Sequence, residues 1–116
     1  MMIVKVEGLE ATTMEKARGG KGSALRLAYE AACGFKGEVT NFAMMSLQPN
    51  SSIGMHQHQG DMEIYLILDG KAKTIDNGQE MEVVSGDMMI TKDGEEHCLV
   101  NDSDTPLTFL AVIIKH

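Results

Sequence analysis

The sequence has no tryptophan, only two prolines and only two cysteines. Two cysteines, Cys33 and Cys98, cannot build the multiply bridged framework of a small secreted domain, and we interpret both as reduced thiols of a cytosolic protein. The longest mainly apolar stretch, residues 107–114, is far shorter than the roughly 18 residues that a membrane span requires. Residues 1–7 lack the apolar core of a signal peptide. We therefore expect a cytoplasmic protein with no membrane partner.

Basic residues are also scarce. The formal net charge is −7, Arg18 and Arg26 are the only arginines, and the lysines form no run. Nucleic-acid-binding surfaces need clustered positive charge, because contacts to phosphate supply most of the non-specific affinity. The sequence therefore predicts no nucleic-acid partner.

Glycine is frequent, at 12 of 116 residues, which is typical of a turn-rich β protein when long helical patterns are few. Apolar segments bounded by turn residues predict strands at residues 39–47, 63–68, 71–76, 80–84, 87–92, 97–101 and 106–115. Strands at spacings of about 8 to 12 residues indicate a sandwich or barrel. The pair Asn77-Gly78 predicts a tight hairpin, because both residues tolerate positive φ.

The chain length fits one domain. We predict a single all-β domain over residues 1–116, with residues 1–38 as an N-terminal arm and first strands and residues 39–116 as the barrel. A short strand is expected at residues 2–6, followed by an irregular arm. Residues 23–33 are ambiguous, because Leu25, Leu27 and Tyr29 alternate as in a strand while the alanines around them favour helix. We favour a strand there.

Three of the four histidines have the spacing of a metal site. His56 and His58 are two residues apart and would point to the same face of a strand. Glu63 follows at the start of the next apolar segment, and His97 again starts a strand after a turn. Three imidazoles and a carboxylate form a mixed nitrogen and oxygen site that suits Mn, Fe, Co, Ni, Cu or Zn. A lone His-x-His is more often a pair of surface histidines, and His116 is interpreted as a solvated terminal residue.

The frame around these residues resembles the first motif of the cupin family. That motif consists of a glycine, five residues, His-x-His, three or four residues, a glutamate, six residues and a glycine. In this sequence His56 and His58 are followed by four residues, Glu63, six residues and Gly70. The glycine that opens the motif is replaced by Asn50, which also tolerates a left-handed backbone.

The second cupin motif is matched 15 residues further on. Its pattern is a glycine, five residues, Pro-x-Gly, two residues, a histidine, three residues and an asparagine. Here Gly86 is followed at the same spacings by Lys92 in place of the proline, Gly94, His97 and Asn101. Neither departure from the family pattern affects a ligand.

The resemblance implies a double-stranded β-helix, also called a jelly-roll barrel, that holds one divalent transition metal, such as Mn, Fe, Ni or Zn. By resemblance the metal ligands are His56, His58, Glu63 and His97. The barrel interior can hold one small ligand. The family also implies a homodimer, with residues 2–6 as a candidate exchanged arm.

Other residues have a functional and a plainer interpretation. Tyr65, on the inward face with Glu63, is a candidate catalytic residue, or it packs in the barrel. Arg26 lines the barrel mouth if its segment is a strand, or it is a solvated charge. Glu95 and Glu96 are candidate acids or bases near the metal, or exposed turn charges. Met55 and the other methionines are candidate soft ligands, although adaptable packing is favoured.

Fold and metal do not define a reaction. The leading hypothesis is a metalloenzyme that acts on a small polar substrate, of the carboxylate or sugar type, through open metal coordination positions. The alternative is a non-catalytic module that binds or senses a small molecule or a metal.

Overall fold

The computed structural model describes residues 1–35 and 37–115. Within these residues the chain forms ten strands, one short α-helix and two 3-10 turns. The strands are β1 (Ala11–Glu15), β2 (Ser23–Ala28), β3 (Val39–Leu47), β4 (Ser51–Gln57), β5 (Asp61–Asp69), β6 (Lys71–Asp76), β7 (Gln79–Val84), β8 (Met88–Thr91), β9 (Glu96–Asn101) and β10 (Leu107–Lys115). The helix α1 is Tyr29–Cys33, and the 3-10 turns are Val6–Gly8 and Ala17–Gly19.

The strands form two antiparallel sheets, with the orders β1-β2-β3-β10-β5-β8 and β4-β9-β6-β7. From β3 onward the chain passes back and forth between the two sheets, except that β6 and β7 form a hairpin within one sheet. This arrangement is that of a jelly roll, and it confirms the predicted all-β double-stranded β-helix. Strand β10 lies at the centre of the larger sheet, between β3 and β5. No helix in the described part of the chain is long and apolar enough to cross a bilayer.

The barrel core follows from alternation along the strands. In β10 every second residue from Leu107 to Ala111 is buried, and Phe109 is completely inaccessible. The same alternation buries Tyr65 and Ile67 on β5. Because side chains of a strand alternate between its faces, one face of each sheet supplies the core.

Most of the strands predicted from residue 39 onward agree with the structure to within two residues. The first 38 residues differ more. The strand predicted at residues 2–6 is wrong, because this segment forms no strand and the first strand is β1. Residues 23–33 combine both expected conformations, with β2 followed directly by α1. Gly34, at φ 61°, ends the helix in the left-handed conformation that glycine adopts at low cost.

The turn predictions are confirmed. Asn77 and Gly78 have φ values of 51° and 77° and join β6 to β7, with Asp76 and Gln79 paired across the hairpin. Asn50, which replaces the first glycine of the cupin motif, has φ 54° between β3 and β4. Asparagine is one of the few non-glycine residues that adopts this conformation readily, so the turn is kept.

Asn101 joins two turns of the barrel. Its side chain is fully buried, and its amide nitrogen lies 2.9–3.2 Å from the carbonyl oxygens of Leu47, Gln48 and Thr105. Its amide oxygen accepts hydrogen bonds from the backbone and the hydroxyl of Ser103. This one side chain therefore links the β9–β10 turn to the end of β3.

We predict that Asn101→Ala lowers the free energy of unfolding by about 2–4 kcal/mol, because each buried polar partner left unsatisfied costs about 1–3 kcal/mol. Urea denaturation followed by circular dichroism would measure the change. Asp104→Ala, in the same turn but exposed, is the matched control and should change stability by less than about 0.5 kcal/mol. Equal stability of the two variants would contradict the role assigned to Asn101.

Candidate metal centre

Four side chains from three strand regions meet inside the barrel. His56 lies on β4, His58 directly follows β4, Glu63 lies on β5 and His97 on β9. One ligand atom from each, in a set of nitrogens and a carboxylate oxygen, lies within 4.8 Å of every other. His58, Glu63 and His97 are buried, whereas His56 is partly exposed. The structure thus brings together the four residues that the sequence singled out.

A bulge in β4 directs His56 inward. Ile53 pairs with Leu99 of β9 and His56 with His97, so that β4 uses three residue steps where β9 uses two. In a regular strand, residues three apart point to opposite faces. The extra residue restores His56 to the inward face that Ile53 occupies, and bulges commonly re-aim side chains in this way.

Hydrogen bonds at Nδ1 fix the orientation of each imidazole. His56 Nδ1 donates to the Gly54 carbonyl at 2.8 Å, and His58 Nδ1 donates to the Asp61 carboxylate at 2.7 Å. Because a carbonyl and a carboxylate only accept, the proton of each neutral ring is on Nδ1 and the lone pair is on Nε2. His97 Nδ1 lies 2.8 Å from the Thr91 hydroxyl.

The Nε2 atoms converge on one point. His97 Nε2 is 3.0 Å from Nε2 of both His56 and His58. Glu63 Oε1 is 3.1 Å from His58 Nε2 and 3.2 Å from His97 Nε2. Imidazole lone pairs and a carboxylate that face one another at this spacing are the donor set of a transition-metal site, with outer partners that orient the ligands. The residues present therefore fit a metal ion.

Tyr65 lies directly beside the cluster. Its ring stacks on His97 with centroids 4.7 Å apart, and it lines the same cavity as Glu63. Burial, followed by the negative charge of Glu63, raises the pKa of the Tyr65 hydroxyl well above its ordinary value, so the hydroxyl is a donor at neutral pH. Burial is also the largest cause that lowers the pKa of His56, which keeps this imidazole neutral and able to bind a metal.

A cavity of about 150 Å³ adjoins His56, Glu63 and Tyr65. Arg18 and Arg26 also line it, together with apolar residues of β3 and β10. Arg26 thus lines a cavity, although the sequence favoured the plainer interpretation of a solvated charge. No sequence pattern predicted Arg18 at the site, because its segment was expected to form an irregular arm.

A larger groove of about 710 Å³ lies on another side of the site, at the edges of β7 and β8. It reaches His97 and Thr91, and Met55, Glu95 and Glu96 also line it. Met55 is 44% exposed. Glu95 and Glu96 are exposed, and Glu95 accepts a hydrogen bond from the backbone of Lys92. Their position favours the plainer interpretation as turn charges. The terminal His116 lies outside the described residues.

The fold and the site define a small double-stranded β-helix protein with three histidines and a glutamate at its centre. Residues 43–113 match the family model of the cupin domain. The chain is 37% identical over 113 residues to the oxalate-binding protein of Thermotoga maritima, covering 97% of this chain and 93% of the relative. This chain belongs to the cupin family.

Solved structures agree. The crystal structure of a predicted oxalate decarboxylase from Thermotoga maritima superposes with a TM-score of 0.89 at 37% identity, over 99% of this chain and 100% of the other. A sugar phosphate isomerase of the cupin superfamily from Silicibacter pomeroyi has a TM-score of 0.78 at 22% identity, over 99% of this chain and 76% of its own. The second likeness concerns the fold alone.

We predict that His58→Ala abolishes stable metal retention, because it removes the ligand whose orientation Asp61 fixes. Elemental analysis of protein purified from metal-supplemented cultures would measure this. Gln59→Ala, an exposed neighbour, is the control and should keep the wild-type metal content. Equal metal in His58→Ala and wild type, or none in wild type, would refute His58 as a ligand.

Proposed function

We propose that this cupin binds a short carboxylate through a metal ion held by His56, His58, Glu63 and His97. The observation that carries the proposal is the cavity beside the ligands, into which cationic side chains face. The metal would supply Lewis acidity to a bound carboxylate oxygen. The similarity to the oxalate-binding protein of Thermotoga maritima supports oxalate as the first ligand to test.

The spacing of the donor atoms supports open coordination positions. Two donors about 2.1 Å from one metal ion lie about 3.0 Å apart at a right angle and about 3.4 Å apart at the tetrahedral angle. The observed spacings of 3.0–3.2 Å are closer to the right angle. A six-coordinate ion such as Mn²⁺ or Fe²⁺ uses right angles, and four protein ligands would leave it two positions for a carboxylate.

The size and charge of the two openings favour a short carboxylate over a sugar phosphate. A volume of 150 Å³ corresponds to roughly five water molecules, at about 30 Å³ each. The 710 Å³ groove could hold a sugar, but Asp76, Glu95 and Glu96 line it and would repel an anion. The cationic cavity is therefore the better match for an anionic ligand.

We predict that metal-free protein reconstituted with Mn²⁺ binds oxalate, and that EDTA or His58→Ala removes the binding. Isothermal titration calorimetry would measure it. Glucose 6-phosphate serves as the sugar-type ligand and should give no heat, because it exceeds the small cavity. Tight binding of glucose 6-phosphate without oxalate binding would overturn the proposal in favour of a sugar-type ligand.

A second candidate function is transformation of the bound carboxylate. Tyr65 favours it, since its protonated hydroxyl lines the same cavity and can donate a hydrogen bond to a carboxylate as charge develops on it. For oxalate the balanced reaction consumes one proton and yields one formate and one CO₂.

We predict that, if the protein is an enzyme, Mn²⁺-loaded protein releases formate from oxalate in air, and that Tyr65→Phe lowers the rate about 10- to 100-fold without altering Mn²⁺ content. A coupled formate assay would measure the rate. Oxalate binding with no formate, in air or under nitrogen, would leave the non-catalytic binding module as the function.

The homodimer and the cytoplasmic location remain predictions. Exposed apolar side chains on β7 and β8, including Met81, Met88 and Ile90 at 47–55% exposure, support self-association.

A further inference from the structure

The hairpin between β1 and β2 has an unusual backbone. Lys16 and Arg18 have φ values of 49° and 54°, and neither is a glycine. The turn between them is closed by hydrogen bonds from Gly19 to the Lys16 carbonyl and from Gly20 to the Ala17 carbonyl. Left-handed non-glycine residues persist only where their surroundings hold them, and they often occur at functional sites.

Strand β4 holds this hairpin in place. Lys21 and Ser52 exchange two hydrogen bonds, from the Lys21 backbone to the Ser52 hydroxyl and from the Ser52 backbone to the Lys21 carbonyl. Gly20 and Gly54 meet so closely that a Cβ at Gly54 would collide with the Arg18 carbonyl, and a Cβ at Gly20 would collide with the Ser52 carbonyl. Two glycines therefore permit the contact that brings Arg18 beside the strand of His56.

Arg18 and Arg26 both line the cavity, but only Arg26 has an acidic partner among the described residues. Arg26 is paired with Glu30 and also bonded to Asn41, so its charge is compensated. Arg18 forms no ion pair with any residue that the structure describes. Arg18 lines the same cavity as His56 and Glu63, so a ligand held at the candidate metal centre would lie beside it.

We propose that the ligand is a short dicarboxylate dianion, with one carboxylate at the metal and the other at the guanidinium of Arg18. This inference rests on the proposed function and adds the substrate class and the residue that selects it. A divalent metal and Arg18 together exceed the negative charge of Glu63 by two, which a dianion neutralises. A guanidinium suits the second carboxylate because it can bind both oxygens at once.

The small cavity limits the separation of the two carboxylates. Arg18, His56 and Glu63 line the same volume of about 150 Å³. The two carboxylates of the ligand must therefore be separated by only a few bonds. A monocarboxylate such as acetate can reach the metal but leaves Arg18 without a partner. The site therefore distinguishes oxalate from acetate through Arg18.

The test compares Arg18→Gln with Lys21→Gln, which removes the same charge from the same hairpin. Calorimetry on Mn²⁺-loaded protein would measure the affinities for oxalate and acetate, and a separate titration would measure Mn²⁺ affinity. We expect Arg18→Gln to weaken oxalate binding about 10- to 100-fold, as loss of a charge-assisted hydrogen bond does. The affinities of Arg18→Gln for acetate and Mn²⁺ should change less than about twofold. The affinities of Lys21→Gln for oxalate, acetate and Mn²⁺ should also change less than about twofold. Arg18→Lys should weaken oxalate binding by an intermediate factor. Lysine keeps the positive charge but lacks the paired N–H donors of the guanidinium group.

The outcomes separate the two proposals. If the wild type and Arg18→Gln bind oxalate with equal affinity, the role of Arg18 is refuted and the proposed function still stands. If Arg18→Gln weakens acetate and oxalate binding by the same factor, the selective role of Arg18 is also refuted, because the charge of Arg18 then acts on any anion. Wild-type protein that binds Mn²⁺ but no oxalate refutes the proposed function and this inference together. Gly20→Ala should also weaken oxalate binding without changing acetate binding, because the added Cβ displaces the hairpin. This result would confirm that the close contact positions Arg18.

Discussion

Three imidazole nitrogens and one carboxylate oxygen lie 3.0–3.2 Å from their nearest neighbours inside a small β-barrel, and the rest of the molecule is arranged around holding them there. Neutral rings at this distance would turn away from one another if they were free. They stay because Gly54, Asp61 and Thr91 occupy the other nitrogen of each ring. The three Nε2 atoms are then left to face inward, in the arrangement that a metal ion requires.

The surroundings of this centre are asymmetric in charge. On one side a small cavity carries Arg18 and Arg26, and on the other a wide groove carries acidic side chains. A chain with a net charge of −7 thus concentrates both of its arginines beside the candidate metal ligands. This concentration is the physical reason for proposing an anionic ligand, although the protein as a whole repels anions.

Much of the fold was predictable because its signals are local. The Asn77-Gly78 hairpin and the left-handed Asn50 depend on the backbone preferences of single residues, and the strands from residue 39 onward on alternation. The N-terminal segment was predicted poorly for the same reason. Strand β1 has little alternation of its own and exists because it pairs with β2, while the ambiguous segment after it proved to contain both a strand and a helix. The bulge in β4 has no local signal either, since it is defined by the register against β9.

The sequence by itself determined which residues form the candidate metal centre, because motif spacing and strand periodicity together place His56, His58, Glu63 and His97 at strand starts and ends that face one barrel interior. Only the tertiary structure decided what else reaches them. Arg18 is 38 residues before His56 in the chain, and its place at the cavity depends on Gly20 meeting Gly54 across two sheets. Contacts between distant segments set the size and charge of the cavity, and no pattern within either segment encodes them.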